Sequence, residues 1–249
     1  MNLYSDLQPY YKEPVLIIPK EKKIVFADLH IGIEKELRES GVLTSAITEK
    51  LQNKIVHICK KLKPEDIILL GDVKHNIPTS TIRERKDVTN LLECICTFGN
   101  VHIIPGNHDG FLSKITPDQV KIHPSGGVVF NDIGFVHGHR WPNSDIVNCR
   151  YIVTAHTHPN VMLTDRLEHR YFEPCWVRTK FLKEKIQEKY PESGNPEILI
   201  IPALNPLCGG TAINREGVVG PLGKVIDVKN ADIYLLDGSY LGKVKNISK

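Results

Sequence analysis

Five apolar runs of the sequence are each followed directly by aspartate, asparagine or histidine. Along the chain they read IVFADLH, IILLGDVKH, VHIIPGNHD, GFVHGH and YIVTAHTH. Short apolar runs with polar residues at their ends are typical of strands in an open α/β sheet, and such sheets bind ligands at the carboxyl ends of their strands. The pattern therefore predicts that several strand ends bring polar side chains to one site.

Helix-like segments separate the first of these strands. We expect strands at 15–18, 24–27, 67–70 and 101–104, and helices at 45–61 and 82–98, where apolar residues recur at helical spacing. Strand–helix–strand repetition at this spacing predicts an α/β core with parallel strands.

The pattern changes after Lys121 to closely spaced strands. We expect these strands at 128–130, 134–137, 151–155 and 161–163, followed by a helix at 179–190 and late strands in EILIIP and ADIYLLDGSYL. No Pro/Gly/Ser-rich linker divides the chain. We therefore expect one domain, residues 1–249, with two sheets.

Composition excludes several classes of protein. Of the 249 residues, 41% are hydrophobic and 24% charged, as in globular proteins, and the net charge of +3 does not by itself imply nucleic-acid binding. The six cysteines form no C-x-x-C pair, and several lie in apolar stretches such as LLECIC. The chain shows neither a signal-peptide pattern nor an apolar run that could span a bilayer. We expect a soluble, cytoplasmic protein without a membrane partner.

The polar residues at the strand ends form a set of oxygen and nitrogen donors. The set is Asp28, His30, Asp72, Asn107, His137, His156 and His158. It lacks thiolate, which favours a first-row divalent metal such as manganese, iron or zinc. Seven ligands are too many for one ion but suit two ions that share a carboxylate. Two such cations facing two aspartates leave a charge of about +2, which attracts a phosphate ester and activates a bridging water.

Each motif taken alone has an ordinary explanation. D-x-H arises often by chance, G-D is a common turn, and H-x-H can lie on a surface. GNHD is different, because its chance expectation in a chain of this length is on the order of one in a thousand. The five motifs together, in order and each after a strand, indicate a dinuclear metal site.

The ordered motifs DLH, GD, GNHD, VHGH and AHTH resemble those of the calcineurin-like metallophosphoesterase superfamily, which run D-x-H, G-D, G-N-H-D/E, H and G-H-x-H. Ala155 stands where the last motif usually has glycine, a small change that we expect to shift the loop slightly. The resemblance implies a four-layer αββα sandwich with two mixed β-sheets.

The resemblance also implies how the metal ligands divide. It assigns one metal to Asp28, His30 and His158. It assigns the other metal to Asn107, His137 and His156, and it makes Asp72 the bridge between the two.

Other residues receive roles around the phosphate. The resemblance implies that His108 protonates or orients the leaving group, with Asp109 holding its ring. His75 and Arg140 are candidates for contacting the substrate. We expect His139 to support the metal ligands by hydrogen bonding rather than to bind metal. Trp141 either stacks on a base or packs beneath its loop.

Motifs that are less specific than the metal motifs resemble those of archaeal SbcD-related phosphoesterases and bacterial ligase-associated ones. They are GDVKH, VHGHRWP, AHTHP, EPCWVR and IPALNPLCGG, and they extend the likeness to about Gly210. SbcD-type nucleases carry a further DNA-capping domain, and too few residues follow Gly210 to form one.

The ligand set and the resemblance predict a hydrolase of phosphodiesters, acting on DNA or nucleotides. We expect two divalent metals, with manganese first and iron, zinc or nickel as alternatives. A phosphomonoesterase for a small molecule remains open, because the same site serves both reactions. A non-catalytic scaffold is also open, although such scaffolds tend to lose ligands that this chain keeps. Protein Ser/Thr phosphatases continue as G-D-x-V-D-R-G, whereas this chain reads GDVKHNI.

Overall fold

The first β-sheet builds the half of the protein that precedes Lys121. The computed structural model describes residues 6–42 and 47–247. Within them, neighbouring strands of this sheet follow sequence order: β1 (Gln8–Pro9), β2 (Leu16–Ile18), β3 (Lys23–Phe26), β4 (Asp66–Leu69), β5 (Asn100–Ile103) and β6 (Lys121–Ile122). The strands from β3 to β6 are parallel. Their crossovers contain α1 (Ile33–Glu39), α2 (Ile47–Leu62) and α3 (Ile82–Ile95).

The second sheet is built from the remaining strands. They are β7 (Val128–Phe130), β8 (Ile133–Val136), β9 (Tyr151–Thr154), β10 (Pro159–Thr164), β11 (Arg170–Lys180), β12 (Glu197–Ile200), β13 (Thr211–Ala212), β14 (Asp232–Leu235) and β15 (Tyr240–Lys243). Their order across the described sheet is β13-β10-β11-β12-β9-β8-β7, and β14 pairs with β11 and β15. The sheet is mixed, because β8, β9 and β12 are parallel while β10 and β11 are antiparallel.

Three apolar clusters define the layers. One joins the outer face of the first sheet to α2 and α3, through residues such as Ile55 and Leu92. A second lies between the sheets, where Val25 and Ile68 meet Phe135 and Trp176. A third covers the far face of the second sheet with α4 (Lys183–Lys189), α5 (Ile213–Glu216) and α6 (Val244–Ile247). The result is a four-layer αββα sandwich, in which buried apolar surface is the main stabilising contribution.

Most expected elements are confirmed, including the parallel core and the two sheets. The strands at 128–130 and 151–155 correspond to β7 and β9, and α2 corresponds to the helix expected at 45–61, of which residues 45 and 46 lie outside the described residues. None of the helices in the described residues combines the length and apolarity that a membrane crossing requires.

The expected helix at 179–190 is partly wrong, because β11 runs to Lys180 and the helix is limited to α4. Three consecutive residues of β11 are buried, namely Cys175, Trp176 and Val177, because both faces of the second sheet are covered. A strand buried on both faces lacks the alternation that identifies a strand in a sequence. Pro174 lies inside it and further weakens the pattern.

Candidate metal centre

The candidate ligands lie just beyond the carboxyl ends of β3, β4, β5, β8 and β9. Backbone conformation there is unusual, because five of these residues have positive φ: Asp28 (53°), His30 (42°), Asp72 (49°), His156 (65°) and His158 (45°). Non-glycine residues seldom adopt this left-handed region, and such strained positions cluster at functional sites. The sharp turns direct side chains of both sheets towards one another.

A first group of donors gathers at the ends of β3 and β9. Asp28, His30, Asp72 and His158 each offer one donor atom, and these atoms all lie within 4.8 Å of one another. His158 Nε2 is 3.3 Å from Asp28 Oδ1, and His30 Nε2 is 3.5 Å from Asp72 Oδ2. These separations are those of atoms that can surround one ion.

A second group of donors also includes Asp72. Donor atoms of Asp72, His137 and His156 lie within 4.8 Å of one another, with His137 Nε2 at 3.4 Å from Asp72 Oδ2. Asp72 is therefore common to both groups and is 2% exposed. A carboxylate in this position can contact two cations at once.

Unsatisfied buried atoms show that the residues fit metal ions. Both carboxylate oxygens of Asp28 and the Nε2 atoms of His30, His137 and His158 are buried without a hydrogen-bond partner among the described residues. Each such atom costs about 1–3 kcal/mol if nothing satisfies it. Divalent cations between the two groups would satisfy all of them.

Two of the histidines are oriented from behind by main-chain carbonyls. His137 Nδ1 donates to Leu70 O at 2.9 Å, and His158 Nδ1 donates to Gly209 O at 2.8 Å. A carbonyl accepts only from an N–H, so Nδ1 of each ring carries a proton and Nε2 is available towards the site. This outer hydrogen bond is the usual way in which proteins fix a metal-binding histidine.

Electrostatics divides the histidines into two kinds. Burial lowers the pKa of His30 to about 3 and that of His156 to about 4, so both rings are neutral at pH 7. Burial also opposes charge on His137, but the carboxylates of Asp72 and Asp28 outweigh it and raise its pKa to about 9. The pKa of Asp72 is lowered although burial opposes this, chiefly by its hydrogen bond with His137. A cation binding here would replace protons that the carboxylates otherwise attract.

The GNHD segment approaches Asp72 through its backbone. The His108 amide donates to Asp72 Oδ1 at 2.8 Å. A Cβ at Gly106 would lie 2.1 Å from that oxygen, so glycine is required for the close approach. Asn107, between them, is exposed. The segment thus lies against the shared carboxylate.

The expectation that Asp109 holds the His108 ring is wrong. Asp109 Oδ1 accepts from the amides of Val73 and Lys74, and Oδ2 accepts from the amide of Gly106. His108 Nδ1 instead donates to the carbonyl oxygen of His75. Asp109 therefore ties together the loops that follow β4 and β5.

His75 lies at the candidate site, whereas Arg140 does not join the donor groups. The His75 ring stacks on His108 with centroids 5.3 Å apart, and its Nδ1 is 3.1 Å from His30 Nδ1. The backbone of His75 is fixed by buried Glu84, which accepts from its amide at 2.8 Å. Arg140 is exposed and donates to Ser125 Oγ at 2.9 Å.

Beyond Gly138, His139 differs from the expectation and Trp141 follows one of its two alternatives. His139 Nδ1 is buried without a partner, so the supporting hydrogen bond expected of it is not made at this nitrogen among the described residues. Trp141 packs against the third apolar cluster, with Tyr190 at 6.3 Å and Lys189 Nζ over its ring at 4.9 Å. Packing therefore accounts for Trp141 without a base-stacking role.

Sequence reasoning missed Cys208, which lies beside the first donor group. Its sulfur is within 4.8 Å of one ring nitrogen each of His30 and His158. Burial, and then the carboxylates of Asp28 and Asp72, raise the pKa of this thiol, so it is protonated at pH 7 without a cation. The stretch IPALNPLCGG carries no ligand motif, so its placement here depends on the fold.

A cavity of about 310 Å³ opens beside this side of the centre. His158, Asn205 and Cys208 form the wall that it shares with the donor groups. Phe172 and Leu236 contribute apolar surface to the cavity. The cavity and the first donor group therefore share His158.

Comparison with solved structures shows what the chain is similar to in its fold. The nuclease MPE of Pseudomonas putida has a similar fold, with a TM-score of 0.60 and 17% identity over 95% of this chain and 99% of that one. The E. coli phosphoesterase Yfce gives a TM-score of 0.40 and 14% identity over 89% of this chain and 97% of that one. No curated protein sequence matches the chain.

The match to a protein family includes the predicted metal ligands. The model of the calcineurin-like phosphoesterase family matches residues 22–174, which include every predicted metal ligand from Asp28 to His158. The family acts on phosphate esters and uses divalent metals. Because the match spans more than half of the sequence, this chain belongs to the calcineurin-like phosphoesterase family.

Proposed function

We propose that this chain is a dinuclear-metal-dependent phosphodiesterase. The observation that carries the proposal is the pair of donor groups that share Asp72. In this proposal Asp28, His30 and His158 hold one cation, and Asn107, His137 and His156 hold the other. Divalent cations held there supply positive charge that stabilises the phosphoryl oxygens, and they lower the pKa of water towards neutrality.

The chain's own residues complete the chemistry. His108 presents Nε2 to the departing oxygen, because its Nδ1 donates to the His75 carbonyl; in the imidazolium form the ring gives its Nε2 proton to that oxygen and keeps the proton on Nδ1. The His75 ring, stacked on His108, fixes the orientation of that ring, and it reaches a phosphate oxygen only if its Nε2 leaves Glu36 Oε2. Asp109 positions the loops and does not touch the substrate, because its oxygens are occupied by backbone amides. Arg140 reaches a phosphate only if it leaves Ser125.

The cavity beside His158 favours diesters over monoesters. A monoester has one organic group, whereas a diester must place a second one next to the metals. The cavity's volume of about 310 Å³ is at the lower end for ligand sites, which suits a group such as one nucleoside. Phe172, which is 54% exposed, offers a surface on which a base can stack. DNA or nucleotides are therefore the substrate class that we propose.

A comparison of two model esters tests this function. Metal-free protein is reloaded with manganese, and turnover of bis(p-nitrophenyl) phosphate is compared with that of p-nitrophenyl phosphate. We expect the diester to be hydrolysed with the higher kcat/KM, and no turnover in Asp72→Asn. Cleavage of the monoester alone would make the protein a phosphomonoesterase. Two bound metals with no turnover of either ester would favour a scaffold.

A second assay, with a panel of natural diesters on the same protein, identifies the class of substrate. Single-stranded DNA, double-stranded DNA and cyclic nucleotides are offered at equal phosphate concentration. We expect hydrolysis of at least one of these diesters in preference to the model ester, because the cavity wall makes contacts that p-nitrophenyl groups use less fully. Equal rates for all substrates would argue against a nucleoside in the cavity.

A further inference from the structure

The loop after β12 brings a thiol to the candidate metal centre. Cys208 is half-buried, and its sulfur lies within 4.8 Å of one ring nitrogen of His30 and one of His158. The same two histidines belong to the group that contains Asp28 and Asp72. Cys208 therefore lies beside two histidines of that group, in which Asp28 Oδ1 and His30 Nε2 are more than nine-tenths buried and have no hydrogen-bond partner among the described residues.

We propose that Cys208 supplies a sulfur ligand to the cation held by Asp28, His30 and His158, and that this half of the centre therefore prefers zinc, iron or cobalt to manganese. The inference rests on the proposed dinuclear site. It makes the two metal positions chemically different, with sulfur on one side and none on the other.

Hydrogen bonds hold the Cys208 loop in this place from both ends. Asn205 is 3% exposed, and its Nδ2 donates to Leu29 O at 2.7 Å, beside Asp28. The Cys208 amide donates to Asn205 O at 3.1 Å. On the other side, Gly209 O accepts from the ring of His158 at 2.8 Å. The thiol is thus fixed relative to two of the residues that would share its cation.

Glycine at position 210 is part of the same arrangement. A Cβ there would lie 1.8 Å from Asn160 Nδ2 and 2.6 Å from His158 O. A side chain at this position would push the loop away from the His158 backbone. The loop therefore approaches the metal centre as closely as its backbone permits.

The distances suit a bound ion. Zinc lies about 2.3 Å from thiolate sulfur and about 2.0–2.1 Å from imidazole nitrogen, so two donors of one ion can be separated by at most about 4.4 Å. A small rotation of the Cys208 side chain can adjust the spacing, since the sulfur already lies within 4.8 Å of the two imidazole nitrogens. The bond that such a rotation breaks is weak, because the thiol donates to Asp28 O over 3.7 Å.

Ligation changes the protonation of the thiol. The S–H bond breaks, the proton leaves to water, and the sulfur electron pair forms a bond to the cation. No electrons are transferred, so the step needs no oxidant or reductant. Thiolate favours zinc, iron and cobalt more strongly than manganese, which prefers oxygen ligands. The selectivity follows from this one additional donor.

Cobalt provides a readout that does not depend on activity. Metal-free full-length protein, kept reduced, is titrated with Co²⁺, and bound metal is counted by equilibrium dialysis. A cobalt–thiolate bond gives an intense sulfur-to-metal charge-transfer absorption in the near ultraviolet, which oxygen and nitrogen ligands do not give. Wild type is compared with Cys208→Ser and with the control Cys94→Ser, whose thiol is exposed.

We expect two cobalt ions and the charge-transfer band in wild type and in Cys94→Ser. The band should disappear in Cys208→Ser, with affinity for one Zn²⁺ lower by about tenfold or more and affinity for Mn²⁺ changed by less than about threefold. Wild type that binds two cobalt ions without the band would overturn the proposal even if Cys208→Ser did not fold. A band that survives Cys208→Ser would overturn it as well. Wild type that binds no cobalt would instead overturn the dinuclear site on which the proposal rests.

Discussion

Replacing His108 with alanine separates the chemistry of the leaving group from the binding of cations. The contact between this residue and Asp72 is made by the His108 amide, at 2.8 Å from Oδ1, and alanine retains that amide. The ring that is lost contacts His30 edge-on, with centroids 4.7 Å apart, and stacks on His75. We therefore expect the donor groups of His108→Ala to keep their geometry and to bind two metals.

The expected loss depends on the leaving group. A general acid contributes about 10²–10⁴-fold, which is about 2.7–5.4 kcal/mol of transition-state stabilisation. An alkoxide leaving from a dinucleotide needs this proton, so kcat should fall by about 10²-fold or more. A p-nitrophenolate is a weak base that departs unprotonated, so turnover of bis(p-nitrophenyl) phosphate should fall by less than about tenfold.

The assay measures kcat and KM for both substrates, with metal content determined on the same samples. His169→Ala is the matched control, because His169 lies in the β10–β11 hairpin, 76% exposed, and pairs with Asp165. Lost metal in His108→Ala would show that His108 is a ligand. An equal loss for both substrates would refute the general-acid role and favour phosphate positioning.

Three further predictions concern the metals and the fold. Asp72→Asn should keep its fold, because an amide oxygen can still accept from the His108 amide, but it should retain neither cation after gel filtration; two retained metals would contradict the shared role of Asp72. A cation present at about 100 times its Kd stabilises the folded state by about 2.7 kcal/mol, and Tm changes by about 2–4 °C per kcal/mol for a chain of this size. Removing metal with a chelator should therefore lower Tm by about 5–11 °C for each cation. An unchanged Tm would argue against tight metal binding. Burial, with the neighbouring charge of His102, lowers the pKa of His123 to about 4. As the pH decreases, the unfolded chain therefore binds a proton at this histidine before the folded chain does. The free energy of unfolding should fall by up to about 3 kcal/mol between about pH 6.5 and about pH 4. His123→Phe should flatten that dependence in urea titrations, and an unchanged pH profile would place the effect in His102, whose pKa burial also lowers.

The sequence predicts the part of the site that follows strand ends. Asp28 and Asp72 each come within a few residues of a buried strand of the first sheet, whose parallel strands bring their carboxyl ends to one edge. Periodicity and strand position therefore suffice to predict that these side chains meet. The conformations that direct them inward, such as φ of 49° at Asp72, are not predictable from periodicity.

Asp109 shows why adjacency in sequence misleads. It follows His108 directly, which suggests a hydrogen bond between the two side chains. In the structure, the Asp109 carboxylate accepts from amides of Val73 and Gly106, and a carbonyl from another strand end orients His108. Neighbouring residues of a turn point in different directions, so partners across loops can be learned only from the fold.

Cys208 is the residue near the candidate centre whose position depends most on the fold. The family match ends at residue 174, and the motifs that follow the predicted strands end with His158. Position 208 reaches the centre because β12 pairs in parallel with β9 and β3 ends beside the loop that follows, where the Leu204 amide donates to Ala27 O at 2.9 Å. These pairings join segments about 180 residues apart, such as Cys208 and Asp28. The proposed ligands all lie within the matched region, so Cys208, outside it, is where we propose that the metal preference of this chain is set.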